Sequence, residues 1–499
     1  MKNVISKIKK YKPTKYICFL YFFVPFFVCC VCNVFRGNDI WFLLKHGKYV
    51  LEYGIPRIEP FTMHSNFSFV MQQWLSSVIF YLVYVISKQY GLLLLIVFVN
   101  MLTLFILYKL CMLLSDNKFR LSIVTSIITD IFLLVFVEAR PWIFTMLNLV
   151  LILYIMELFY KKNKKRALYI LPFISLLQIN IQSPMWYIQY LFMLPYLVCF
   201  LIEKNKNRTD NRYLQLLIVI FIMFLCGFIN PYGINNLLYV FNSYGDYYIN
   251  NYVMEMNTVS LSSDLTVLAY SLLFYFIFIS EVLIYIFCKK GKFELRHLFL
   301  FLGTAILGLK NLRSIWLFII GSIPFLAAYL SPYFCKLTPK EKELNLDKNT
   351  RKKYYLLIFL LVSYSIICGF VANGNFTNKL KGGIDKIYET NLEKNASIYV
   401  NFDNGSYVLY RGLKPYIDTR AEVFLKKNNH KEDIMKEYYL VYNGYISYDE
   451  FVNKYKFDYM IIMENERIYD KALKDKNYRL IYHSKKYKYS VFERTIDRK

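Results

Sequence analysis

The sequence predicts an α-helical polytopic membrane protein of about 11 transmembrane helices with a C-terminal extracytoplasmic α/β domain, and three observations lead there. Of its 499 residues, 57% are hydrophobic and 19% aromatic, far from the composition of a soluble domain. Up to residue 371, apolar runs able to cross roughly 30 Å of hydrocarbon recur, most of them bounded by Lys/Arg clusters or by Pro, Gly and Asn turns. Past that point the runs stop and short alternating segments take over. The chain is therefore expected to divide into a transmembrane domain at 1–371, with a first outer loop at 36–90, and a soluble domain at 372–499.

The formal charge of +26 would suit a nucleic-acid partner, but much of the Lys and Arg falls in short clusters beside apolar runs. These lie at the N-terminus, at Lys161 to Arg166, at Lys204 to Arg212 and at Lys336 to Lys353. Clusters so placed orient helices and touch anionic lipid. No basic-aromatic binding module accompanies them, so no nucleic-acid partner is expected. All ten cysteines precede residue 369, mostly inside apolar runs, which argues against a disulfide framework. The opening MKNVISKIKKYKPTKY is basic and leads into an apolar run with no small-residue cleavage site, so the first helix is expected to be retained.

With the six lysines before Tyr16 in the cytoplasm, the first helix, 16–35, delivers the polar stretch Arg36 to Leu75 to the outside. Further apolar runs lie at 74–87, 91–115, 121–138, 141–160, 167–180, 184–202, 213–229, 265–288, 297–309, 313–331 and 355–371. If every run crossed, the clusters at 161–166, 204–212 and 289–296 would lie outside, against the positive-inside rule. One crossing must therefore be withdrawn before residue 116. Gln73 to Ser87, short and rich in Trp, Tyr and Ser, is the weakest and is read as an interfacial or re-entrant helix. Eleven crossings remain in a multi-pass protein of the cytoplasmic membrane, with the N-terminus inside and the C-terminal domain outside.

That topology gathers the informative polar residues on one face: the Asp39 loop, Glu138 to Pro141, Asn180 to Pro184, Asn230 to Asp264, and Lys310 to Arg313. Ionisable groups at membrane depth are costly and normally pair or line a cavity, so an outward-facing polar pocket is expected. Taken singly, each could simply mark a helix end. Asp130, in the middle of SIITDIFLLV, is a second candidate on the same ground but falls away from that face. In the C-terminal domain, SIYVNF, SYVLY, DYMIIM and YRLIYHS read as strands. Helices are expected near His430 to Val441, Tyr448 to Lys454 and Arg467 to Lys474.

No Gly-rich phosphate loop, HExxH or GxSxG elbow is present. What remains is a carboxylate in the first outer loop, with Arg and Lys at other outer helix ends. This set suits transfer from a lipid phosphate: the carboxylate can deprotonate an acceptor hydroxyl while cations hold the departing phosphate.

The order DIWFLLKHGKYVLEYGIPRIEPFT, FVMQQWL, EARPWIFTMLNLVL, LQINIQSP, INPYGINNLLY, KNLRSIWLFIIGSIP and NFDNGSYVLYRGLKPYIDTRAEVF resembles bacterial polytopic proteins of the GT-C glycosyltransferase superfamily. The resemblance runs over nearly the whole chain. It implies a helical bundle, a donor sugar linked to polyprenyl phosphate, and an acidic catalytic base in the first outer loop, here Asp39. It also implies that Glu59, of Pro-x-x-Glu-Pro-Phe-Thr, supports that acid or positions the acceptor. Arg140 and Arg313 are implied to bind the donor phosphate, and His64, Gln73, Asn180, Gln182, Asp418 and Arg420 to line the acceptor site or pocket. Asp418-Thr419-Arg420 is similar to the family's Asp-Gly-Arg segment. Where members carry histidines or His-Glu, this chain has Leu43, Gln72-Gln73 and Gln182, so a metal is not supported and no cofactor is expected. The implied partners are the polyprenyl-phosphate-linked sugar, membrane lipids, and an acceptor glycan, lipid or protein.

Two other classes compete. A lipid or polysaccharide transporter normally shows repeated halves and broken helices at the midplane, and no repeat is visible here. A non-catalytic scaffold of a surface-polymer assembly gains support from the neutral glutamines.

Overall fold

The computed structural model describes residues 15–206, 211–334, 348–390 and 396–495. The basic N-terminus, most of the Lys336–Lys353 cluster and part of the Lys204–Arg212 cluster lie outside the described residues. The chain forms two compact units. The first comprises Met1–Val34, Gln89–Ile229 and Glu255–Gly374. The second comprises Phe35–Lys88, Asn230–Met254 and Asn375–Lys499.

Among the described residues, seven helices are long and apolar enough to cross a membrane: Trp74–Leu114, Phe119–Phe136, Trp142–Lys162, Ser183–Lys204, Leu265–Phe287, Leu312–Tyr329 and Tyr355–Ala372. The runs at 167–180, 213–229 and 297–309 form helices of 11, 15 and 16 residues. At about 1.5 Å of rise per residue these fall short of the hydrocarbon thickness. The described part of the first run is the 17-residue helix Lys15–Val31, with Pro25 inside it. Length and apolarity thus support seven crossings among the described residues, four fewer than the expected eleven, which they do not establish. The helix Trp74–Leu114 is interrupted at Ser87 (φ −137°, ψ 16°) and Lys88 (φ 51°, ψ −146°). Its short N-terminal piece therefore belongs to the second unit and the long remainder to the first.

Inside the first unit, the buried carboxylate of Glu157 is fully matched. Glu157 accepts hydrogen bonds from Arg296 Nε (2.8 Å) and Nη2 (3.0 Å) and from Tyr196 Oη (2.9 Å), with His297 Nε2 2.9 Å away. An ion in such surroundings is tolerable only with partners of this quality. Asp130 is reached by Asn100 Nδ2 at 3.4 Å.

The second unit is built on a five-stranded mixed sheet. Its strands are β1 (Ser397–Val400), β2 (Lys414–Pro415), β3 (Tyr459–Met463), β4 (Tyr478–Ser484) and β5 (Tyr489–Arg494), in the order β2-β1-β3-β5-β4. The β1 pairings with β2 and β3 are parallel, while β5 is antiparallel to both β3 and β4. Every residue of β3 is buried, as its unbroken YMIIM run implies. SYVLY, expected as a strand, instead lies in the helix Phe402–Tyr410. Asn404 to Leu409 are all buried, so their apparent alternation carries no information about period. Strand β5 escaped the sequence reading because Ser490 and Glu493 face the interior.

The polar stretch after residue 36 contains a helix, Asp39–Tyr53, with Asp39 in its first turn and Gly54 (φ 79°) ending it. Its buried face carries Trp41, whose ring lies 4.5 Å from Phe376, 4.8 Å from Tyr407 and 5.0 Å from Tyr410. On the same helix, Gly47 lies so close to the start of the next one that a Cβ would sit 2.2 Å from the Ser77 carbonyl oxygen. Gly47→Ala is expected to lower stability by about 1–3 kcal/mol through overpacking. Gly303→Ala, where a Cβ meets nothing within 4 Å, should be neutral. Thermal unfolding of the two detergent-solubilised variants checks this; equal midpoints would refute the close approach.

Candidate functional site

In the second unit the loop after Gly54 folds back on itself through an Ile58–Ser68 bridge, with Glu59 N donating to the Phe67 carbonyl (2.9 Å) and Phe69 N to that of Arg57 (2.9 Å). Within it, Glu59 turns its carboxylate onto its own turn. Oε2 accepts from Phe61 N (3.0 Å), Thr62 N (2.9 Å) and Thr62 Oγ1 (2.8 Å), a local closure that acids in proline turns commonly make. Oε1 accepts from Arg420 Nη2 at 2.9 Å. Arg420 also grips Asp418 through Nε (2.8 Å) and Nη2 (2.6 Å), and its Nη1 lies 3.1 Å from His46 Nε2. The rings of Phe61 and Phe69 flank the guanidinium at 5.4 and 5.6 Å.

All four polar members are at most 3% exposed. Burial would pull the Arg420 pKa down, but Asp418 and Glu59 outweigh it and raise it, so the guanidinium stays charged. Burial and the Arg420 charge hold His46 well below the usual histidine range, leaving Nε2 free to accept from Arg420. Glu59, Asp418 and Arg420 therefore form an internal clasp. The expected site residues Glu59, Asp418 and Arg420 are thus brought together, and in this structure their polar atoms are turned on one another. Sequence reading missed His46; the signal was its position on the apolar face of the Asp39–Tyr53 helix, beside Phe42.

His64 is also taken up by packing. Its Nε2 donates to the Tyr416 carbonyl at 2.7 Å, its ring stacks on Phe67 at 4.9 Å, and burial lowers its pKa. The Gln73 carbonyl receives Ser76 Oγ, Ser77 Oγ and Ser77 N, all at 2.9 Å, at a helix start.

Asp39 is partly exposed and lies at the N-terminus of its helix. The preceding Asn38 ties that end to the start of the helix Phe402–Tyr410, its Nδ2 donating to the Asp403 carbonyl at 2.6 Å. The protein packed around Asp403 raises its carboxyl pKa, Lys379 opposes this, and the charge of Asp39 adds to it. Two acids at adjacent helix starts thus interact.

In the first unit, Arg140 and Arg313, far apart in sequence, come together over one indole. Their guanidinium carbons lie 4.7 and 5.4 Å from the Trp142 ring centroid. Arg140 Nη1 donates to Glu255 Oε1 at 2.7 Å, and its Nε is 3.1 Å from Glu138 Oε1. Although burial pushes the Glu255 carboxyl up, Arg140 and Arg313 together hold it below the usual range. The Glu255 segment is itself anchored, with Leu312 N donating to the Asn257 carbonyl (3.0 Å) and Val259 N to that of Leu309 (3.2 Å). Two cations thus share one aromatic platform, with the carboxylates of Glu138 and Glu255 against Arg140.

Asn180 and Gln182 are interior ties in the same unit. Asn180 Nδ2 donates to the Leu176 (2.9 Å) and Ile229 (3.0 Å) carbonyls. Gln182 Oε1 accepts from Thr145 Oγ1 at 2.7 Å, and the Gln182 carbonyl from Gln178 Nε2 at 3.1 Å. Among the described residues no group of three or more His, Cys, Asp or Glu side chains is placed to hold a metal ion.

Seven helices long and apolar enough to cross a membrane, with a small mixed-sheet unit, make up a fold of the kind seen in a solved oligosaccharyltransferase. The fold is similar to that of the oligosaccharyltransferase of Archaeoglobus fulgidus in its apo form, with a TM-score of 0.51 and 13% identity over 90% of this chain and 70% of that one. It is likewise similar to archaeal oligosaccharyltransferase AglB from Archaeoglobus fulgidus in complex with an inhibitory peptide and a dolichol-phosphate, at TM-score 0.53 and 14% identity over 89% and 69%. At these identities the likeness is one of fold. No protein-family model matches the sequence, and no curated protein gives a match.

Two outcomes follow from the clasp. Arg420→Met leaves two buried carboxylates uncompensated and should cost about 3–5 kcal/mol, read as a lowered unfolding midpoint in detergent. His46 has a folded pKa below its unfolded value of about 6.5, so its contribution to stability is full above that pH and is lost as pH falls beneath it, where only the unfolded chain takes the proton. Melting profiles between pH 7 and 5 should therefore be flatter for His46→Gln than for the parent; parallel profiles would count against a buried neutral His46.

Proposed function

We propose that this protein is a membrane glycosyltransferase moving a sugar from a polyprenyl-phosphate donor to an acceptor on the outer face of the cytoplasmic membrane, with inversion at the anomeric carbon. One observation carries the reading: Arg140 and Arg313 converge on Trp142 in a chain that has an oligosaccharyltransferase fold. The similar archaeal protein is described with a dolichol-phosphate, and a polyprenyl monophosphate is the same kind of anion.

Asp39 takes the proton of an acceptor hydroxyl, and the acceptor oxygen bonds to the anomeric carbon from the face opposite the phosphate. The bond from that carbon to the phosphate oxygen breaks, and its electron pair leaves with the polyprenyl phosphate. Arg140 and Arg313 neutralise the departing anion in the position that Glu255 now occupies. Glu59 acts one step removed: through Arg420 and His46 it fixes the helix that begins at Asp39. It is a positioning residue. The topology that goes with this mechanism has eleven crossings, a cytoplasmic N-terminus and residues 372–499 outside.

Purified protein incubated with a radiolabelled polyprenyl-phosphate sugar and an acceptor membrane fraction tests the assignment. Asp39→Asn should lower transfer by a factor on the order of 10² or more, with unchanged yield of folded protein. Arg313→Ala should weaken donor use without altering the melting midpoint. Full activity of Asp39→Asn would sink the assignment of the base, and donor binding without turnover by the parent protein would favour a scaffold.

A further inference from the structure

The second unit contains an open cleft of about 570 Å³ that none of the roles above uses. Its floor is the start of the helix Phe402–Tyr410, and its walls come from the end of β3 and the turn between β4 and β5. Asn401, at the N-cap of that helix, leaves the cap unmade by its side chain and instead accepts from Asn404 Nδ2 at 2.6 Å. Asn404 is 1% exposed, and its Oδ1 has no hydrogen-bond partner. A buried amide oxygen bordering a cleft and left unsatisfied costs roughly 1–3 kcal/mol, which a donor arriving from the cleft would recover.

The remaining lining identifies that donor. Lys379 and Lys488 face Asp403 and Glu464, so the cleft has no dominant sign, and Glu464 is already within 3.8 Å of His483. Asn465 adds both a donor and an acceptor, and Tyr487, 44% exposed, offers a ring face at the rim. A phosphate would call for donors alone and a metal ion for acceptors alone. A mixed, charge-balanced lining with one aromatic face matches hydroxyl groups, each of which donates and accepts, mounted on a ring with apolar C–H faces. The volume is in the range of small-molecule sites.

We propose that this cleft binds a neutral glycan, with a sugar hydroxyl donating to Asn404 Oδ1 and a sugar ring lying against Tyr487. The site is argued from the second unit alone and does not rest on the transfer reaction, so binding here and turnover at Asp39 can fail separately.

The test uses the full chain in detergent and saturation-transfer NMR with neutral gluco-, galacto- and manno-configured tetrasaccharides, with inorganic phosphate and Ca²⁺ as competitors. At least one tetrasaccharide should bind the parent protein, unaffected by phosphate or Ca²⁺. Asn404→Leu should weaken it about tenfold or more, with the melting midpoint followed in parallel because the change removes the hydrogen bond to Asn401 along with the unsatisfied oxygen. If that variant fails to fold, the surface changes Tyr487→Ala and Asn465→Ala should weaken binding by comparable factors. Absence of binding by all three sugars, binding indifferent to these substitutions, or displacement by phosphate or Ca²⁺ would each overturn the proposal.

Discussion

The second unit depends on a single guanidinium. Arg420 joins three stretches of chain that sequence order keeps apart: the helix Asp39–Tyr53 through His46, the first loop through Glu59, and its own segment through Asp418. The planar fork aims separate nitrogens at acceptors spread around it and grips Asp418 through two of them, whereas a lysine ammonium radiates its three donors from one atom. Two carboxylates and one cation would be a poor arrangement in an apolar interior without further donors. The backbone and hydroxyl groups of Phe61 and Thr62 supply them, and the neutral imidazole adds an acceptor without adding charge. Asp39 inherits its position from this clasp, since it starts the helix that His46 anchors.

The two charge clusters of the first unit differ in how fully they are enclosed. Glu157 is saturated by Arg296, Tyr196 and His297, and its partner Arg296 is itself 2% exposed. Arg140 and Arg313 instead rest on an aromatic face and share Glu255, whose side chain is 40% exposed. The Trp142 ring attracts both cations independently of Glu255, so the ring itself holds the two side chains together.

How much of this was legible in the sequence follows from which signals are one-dimensional. Long apolar runs are, and so is the break after the Trp74 piece, where the short, Trp- and Tyr-rich segment separates from the helix that follows. Arg140 and Arg313 were singled out by resemblance, but their meeting over Trp142 is a tertiary fact that no local pattern encodes. Glu59, Asp418, Asn180 and Gln182 were likewise singled out by resemblance; that each is buried and satisfied by a partner distant in sequence or by its own turn is again a tertiary fact. SYVLY was misread as a strand because full burial on all sides erased the periodicity that separates helix from strand.

The clasp also constrains how this protein can drift through descent. Glu59 and Arg420 are 361 positions apart, yet neither can be exchanged alone without stranding a charge in the interior. Homologues should therefore vary the pair together or hold it fixed, with position 46 limited to side chains that can accept from a guanidinium. Such linked variation would mark the first loop and the C-terminal segment as one inherited unit, passed on or lost together.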